Sequence, residues 1–187
     1  MAASDLRHWA LIMNQILNVL LLPLLLMFTV GTGARAQPVP EYVLKATYLF
    51  NFMVYTQWTD PAREKPQTLY LCVLGPDNFG TALTKLEEKT INGANIVVSR
   101  LQGMSGIKKC HLLFVTDREA GNMDAIYRYV GDAPILIVAD SPIASDAGIL
   151  LALDGLRLVF DINLARIKQS GLTLSSKVLQ LARSTTH

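Results

Sequence analysis

The sequence predicts a three-layer α/β sandwich, a mainly parallel sheet with an antiparallel C-terminal hairpin and helices on both faces. Three observations carry this reading. Thr68–Leu74, Asn95–Leu101, His111–Thr116 and Pro134–Ala139 are short apolar runs, the pattern of strands covered on both sides. Helical patterns stand between several of them, and parallel strands need such crossovers, which are right-handed. Ile149–Leu153 and Leu156–Phe160 then flank Asp154-Gly155, a strong short-range hairpin signal.

Each element has its own justification. Glu41–Trp58 carries Val43, Leu44, Tyr48, Leu49, Phe52 and Tyr55 at spacings of three and four, a broad apolar helical stripe. Pro40 suits its start, and Thr59-Asp60-Pro61 ends it. So aromatic a helix is expected to be an ordinary core helix, or to pack against a second molecule as well. Gly75-Pro76-Asp77 turns the chain after the first strand, and Asp77 or Asn78 is expected to cap a helix through about Glu88. Asn92-Gly93 is a turn leading into the second strand. A helix follows the third strand around Met123–Val130, and Asp140-Ser141-Pro142 is a loop after the fourth. Beyond the hairpin come a helix around Leu164–Gln169, a stop at Gly171, and a last helix from Ser175 or Ser176 to Arg183.

The first 36 residues read as a compartment signal. Arg7 and His8 precede an apolar run centred on Ile16–Val30, Gly31-Thr32-Gly33 breaks it, and Ala34-Arg35-Ala36 suits a signal peptidase. Cleavage between Ala36 and Gln37 would release residues 37–187 as a single domain outside the cytoplasm. An uncleaved anchor is the alternative, because Trp9–Val30 is long enough to span a membrane. Asn14, Gln15, Asn18 and Pro23 interrupt it and favour the cleaved reading.

Residues 37–187 hold 15 Lys and Arg against 14 Asp and Glu, with no basic cluster, so nucleic acid is not an expected partner. Cys72 and Cys110 are the two cysteines. An even pair in an oxidising compartment favours a disulfide, with two buried thiols at strand positions as the alternative.

Chemistry-bearing residues are sparse. His111 opens an apolar strand, where a structurally satisfied imidazole is the plainer reading than a ligand. No H-x-x-x-H, C-x-x-C or acidic cluster has metal-ligand spacing, and no G-x-S-x-G elbow occurs, so neither metal, cofactor nor catalytic residues are expected. Gly75-Pro76-Asp77-Asn78-Phe79-Gly80 occupies the place of a phosphate cradle in a Rossmann-like layout. However, Pro76 removes an amide donor and Asp77 puts a negative charge where phosphate would lie. Phe160-Asp161-Ile162-Asn163 and Ser175-Ser176-Lys177 are more polar than a plain core needs. Asp161 pairing with Lys177 or Arg157, and Ser175 capping a helix, explain most of this; a ligand or partner surface is the other reading.

Taken together, these pieces resemble the YfiR family of periplasmic proteins over essentially the whole of residues 37–187. The resemblance rests on Tyr48-Leu49-Phe50-Asn51-Phe52 with Gln57-Trp58, on Cys72 to Gly80, on Cys110-His111-Leu112-Leu113-Phe114-Val115 and on Pro134 to Asp140. It is most specific in Val159-Phe160-Asp161-Ile162-Asn163 and in Gly171 to Ala182. The resemblance implies a non-enzymatic, dimeric periplasmic regulator. Such a protein restrains an inner-membrane diguanylate cyclase by binding its periplasmic sensor domain, lowering cyclic di-GMP output and biofilm formation. It also implies an outer-membrane lipoprotein that sequesters the regulator, and a disulfide at Cys72 and Cys110. Two departures stand out. A second cysteine pair found in some members around Asp140–Leu150 is missing, and Asp161 replaces a frequent Glu.

The expected contact groups are Phe52, Tyr55 and Trp58 on the first helix, with Asp161, Asn163, Ser175, Ser176 and Lys177 near the C terminus. The alternative is a periplasmic small-ligand receptor with a pocket near Asn163 and Ser176 and a different membrane partner. A hydrolase or transferase lacks a credible nucleophile and base.

Overall fold

The computed structural model describes residues 40–58 and 66–186, all within the unit Val39–His187. The expected leader with its cleavage point at Ala36 and Gln37, and the stop at Thr59-Asp60-Pro61, lie outside the described residues.

Helix α1 (Glu41–Tyr55) starts at Pro40, whose carbonyl accepts from the Val43 and Leu44 amides. Glu41 in the first turn favours the positive end of the helix dipole. Ala46, Leu49, Phe52 and Met53 form its buried stripe. The helix ends three residues before the expected Trp58. Thr56–Trp58 is instead strand β1, antiparallel to β9 (Leu172–Leu174) with Thr56 opposite Leu174 and Trp58 opposite Leu172. A pairing partner so distant in sequence overrides the local helical pattern. The Thr56 hydroxyl donates to the Phe52 carbonyl at 2.6 Å as the backbone turns extended.

The main sheet has eight strands: β2 (Thr68–Leu74), β3 (Thr90–Ile91), β4 (Ala94–Leu101), β5 (Leu112–Val115), β6 (Leu136–Ala139), β7 (Ile149–Asp154), β8 (Arg157–Asn163) and β10 (Ser184–Thr186). Their spatial order is β10-β8-β7-β6-β5-β2-β4-β3. The run β4-β2-β5-β6-β7 is parallel, and β3 with β4 and β7 with β8 are antiparallel hairpins. The mainly parallel α/β architecture is therefore as expected, with four corrections. Asn92-Gly93 closes a complete hairpin, β3–β4. The β7–β8 turn is Gly155-Leu156, because Asp154 already pairs with Arg157. Asp77 does not cap a helix: its Oδ1 accepts from the Phe79 amide at 2.9 Å, a local turn, and the helix α2 is only Thr84–Glu87. Finally, the hairpin is not the sheet edge, since β10 adds in parallel outside β8 after the Arg183 amide bonds the Phe160 carbonyl at 2.8 Å.

Alternate strand residues feed two cores. Leu112 and Phe114 of β5 join Leu71, Val138 and Phe160 under α1, together with Ile167 of α4 (Leu164–Gln169) and Val178 of α5 (Ser176–Leu181). Leu113 and Val115 face the other way, with Cys72, Ile137 and Met123, Ile126 and Val130 of α3 (Met123–Val130). Two cores on one sheet make the three layers. The second core contains the Cys72–Cys110 disulfide, with its Cα atoms 5.8 Å apart. Pairing of β2 with β5 brings the two together and settles the choice between bridge and free thiols.

Candidate functional site

A groove of about 340 Å³ runs between α1 and α5, over the end of β8. Helix α1 supplies Tyr48, Asn51, Phe52 and Tyr55, β8 supplies Phe160, and α5 supplies Lys177 and Leu181 among others. Its floor is a triangle of rings: Tyr48, Phe52 and Phe160 meet edge-on at centroid distances of 5.9, 5.7 and 5.1 Å. Each such contact is worth about 0.5–1.5 kcal/mol beyond burial, so the floor is rigid. The Tyr48 hydroxyl donates to the Leu158 carbonyl at 3.2 Å, tying α1 to the hairpin.

The groove is open. Leu181 stands 76% exposed at its rim, beside the exposed Asn51, Lys177 and Gln180. Among the described residues the one charged side chain lining the groove is Lys177, whose ammonium lies 5.8 Å from the Tyr55 ring centre. The ring floor and Leu181 gain free energy by excluding water, with Asn51, Lys177 and Gln180 as polar groups around them.

A family model described as YfiR/HmsC-like matches residues 42–183. The chain belongs to the YfiR/HmsC-like family. That is a regulatory, non-enzymatic family of the periplasm. The fold is also similar to a crystal structure of a conserved domain protein from Vibrio cholerae O1 biovar El Tor. The TM-score is 0.53 at 11% identity, over 80% of this chain and 62% of that one. An ABC domain from Streptococcus pneumoniae, in complex with L-Trp, superposes with a TM-score of 0.45 at 10% identity, over 63% and 56% of the two chains. No helix among the described residues is long and apolar enough to cross a membrane.

In this YfiR/HmsC-like domain the residues singled out from the sequence divide into two sets. Phe52, Tyr55 and Lys177 converge on the groove. The others lie outside it. Trp58, on β1, donates from Nε1 to the His111 carbonyl at 3.3 Å and lines a separate cleft with Met53 and Leu69. Asn163 accepts from the Arg166 amide at 3.1 Å and caps α4. Ser175 caps α5 as expected, accepting from the Lys177 amide at 3.3 Å, and Ser176 is the exposed first residue of that helix. Asp161 pairs with neither Lys177 nor Arg157. Its carboxylate is gripped by Arg183, through Nε at 3.0 Å and through Nη2, and by the Ser184 hydroxyl at 2.7 Å. The Arg183 hydrogen bonds outweigh partial burial and hold its pKa below the ordinary carboxylate value.

His111 is a structural residue. Its Nδ1 accepts from the Tyr70 amide at 3.1 Å, its ring stacks on Tyr70, and burial lowers its pKa so that the neutral imidazole is favoured. Sequence reasoning missed Tyr48, Phe160 and Leu181 as groove residues. Tyr48, Phe52 and Tyr55 share a face at steps of four and three, which is the signal that could have found the first.

Proposed function

We propose that this protein is a periplasmic signalling regulator acting by contact. It restrains a membrane-bound diguanylate cyclase through that enzyme's periplasmic sensor domain, lowering cyclic di-GMP output and biofilm formation. The observation that carries the proposal is the α1–α5 groove, an aromatic floor with an uncovered leucine at its rim. Family membership supports the regulatory role. An apolar segment of the receptor laid along the groove would bury Leu181 and cover Tyr48 and Tyr55. Full burial of one leucine is worth roughly 1.5–3 kcal/mol, about ten- to a hundredfold in affinity. Binding one conformation of the receptor shifts its equilibrium only as far as the regulator prefers that state. The regulator would act as a homodimer, and an outer-membrane lipoprotein that covered the same surface would sequester it.

The test is functional. In cells that carry the cyclase, Leu181→Asp and Tyr55→Ala should raise cyclic di-GMP to the level seen without the regulator, with the unfolding midpoint unchanged in the exposed Leu181 variant. The proposal is lost if both variants restrain output as well as the parent and crosslinking to solubilised membranes captures no cyclase.

A further inference from the structure

Strands β2, β5 and β6 run parallel and end on the same side of the sheet. The chain leaves β2 for β4 on one side and returns to β5 on the other, which makes a topological switch point between β2 and β5. Open α/β sheets bind ligands in the crevice beyond the strand carboxyl ends at such a point. A cavity of about 270 Å³ lies there, with walls that include Tyr42, Asn78, Phe114, Thr116, Arg118 and Asp140.

An independent observation marks it as more than a surface dent. The Asp140 side chain is only 8% exposed, with its Oδ2 2.7 Å from the Lys45 ammonium, yet its buried Oδ1 has no hydrogen-bond partner among the described residues. Buried carboxylate oxygens are rarely left so.

The lining chemistry selects the class of ligand. Asp140 is already ion-paired with Lys45, whose ammonium Glu41 shares, and Arg118 stands among the walls beside Asp117, so an anion meets excess carboxylate and a cation meets Arg118 and a carboxylate whose charge is already taken. Pro76 offers no amide to a phosphate. Acceptors predominate: Asp140 Oδ1, the Asn78 carbonyl (its amide nitrogen donates to the Tyr42 hydroxyl at 3.3 Å), and Thr116 Oγ1 (whose proton goes to the Leu74 carbonyl at 3.0 Å). Arg118, which has no ion-pair partner among the described residues, supplies donors. Hydroxyl groups both donate and accept, so a polyol can meet these acceptors and the Arg118 donors at once. We propose that this crevice binds a neutral polyhydroxylated molecule of single-sugar size.

The protein expressed from its full-length sequence would be titrated calorimetrically with D-glucose, D-ribose and myo-inositol, with L-lactate and ethanolamine as charged comparisons. At least one neutral probe should bind more tightly than about 1 mM and shift the Gly75, Asn78 and Thr116 amide resonances. Asn78→Ala and Arg118→Ala, both at exposed positions, should each weaken that binding about tenfold with no change in unfolding midpoint. The proposal is overturned if no neutral probe reaches that affinity, if lactate or ethanolamine binds better, or if both variants bind like the parent. None of these outcomes bears on partner docking at the α1–α5 groove.

Discussion

The Lys45 ammonium lies 2.7 Å from the Asp140 carboxylate, bonding the first helix to the carboxyl end of β6 across 95 positions of sequence. The Lys45 and Asp140 side chains are 7% and 8% exposed, and Glu41, one helical turn earlier, adds a second carboxylate to the ammonium. Burial alone would lower the Lys45 pKa. The hydrogen bonds to Asp140 and Glu41, with the attraction of both carboxylates, more than offset that and raise it above 10.5.

Removing only the cation is therefore expected to be severe. Lys45→Met leaves the Asp140 charge buried without its partner and should cost about 3–5 kcal/mol. The double variant Lys45→Met/Asp140→Leu should recover most of that loss, since a paired charge replaced by apolar side chains is close to neutral. Urea unfolding of the three proteins decides it. Because the folded pKa is the higher one, the stabilisation is complete below 10.5 and is lost as pH rises through the folded value, so the penalty of Lys45→Met should shrink only in strong alkali.

The Cys72–Cys110 bridge closes a loop with a sequence separation of 38. Replacing both cysteines by alanine should destabilise the domain by about 4 kcal/mol, read as a lower urea midpoint, and reductant should then have no further effect. An unchanged midpoint would show that the second core holds β2 to β5 without the covalent link.

Gly75 is needed for two reasons at once. Its φ is +90°, and a Cβ would collide with Thr116 Oγ1 and come within 2.9 Å of Glu119 Cγ. Gly75→Ala should cost at least about 2 kcal/mol, whereas Gly93→Ala, with nothing within 4 Å of its Cβ, carries only the strain of a positive φ. Thermal unfolding of the pair separates collision from backbone strain.

Asp161 should titrate below its ordinary value of 3.8, because Arg183 stabilises the carboxylate. A depressed folded pKa gives stability that is present above the unfolded value and lost as pH falls through the folded one, so this contact should matter at neutral pH and fail only in acid. Carboxyl carbon NMR of the parent and of Arg183→Ala tests it: the midpoint should rise in the variant. An unmoved midpoint would mean that the Ser184 hydroxyl alone holds the group.

Much of the fold was legible in the sequence because its signals are local. Thr68–Leu74 and Met123–Val130 have the bounds read from the pattern, since a short apolar run and a 3.6-residue stripe need no knowledge of their neighbours. Asn163 shows the opposite case at the candidate site. Its polarity suggested a binding surface, and the hydrogen bond that uses it up as a helix cap is visible only in three dimensions.

Composition, apolar period and turn residues thus determined by themselves that residues 40–58 and 66–186 form an α/β sandwich, that Gly155 sits in a hairpin turn, and that a strand lies directly after His111. Tertiary structure alone decided that Thr56–Trp58 leaves the helix to pair with Leu172–Leu174, that Ser184–Thr186 becomes the outer strand, and that Asp161 takes Arg183 rather than Lys177. The physical reason is the same each time. Helical periodicity and turn chemistry act over a few residues, whereas strand pairing and ion pairing are chosen among all the partners that the folded chain brings within reach.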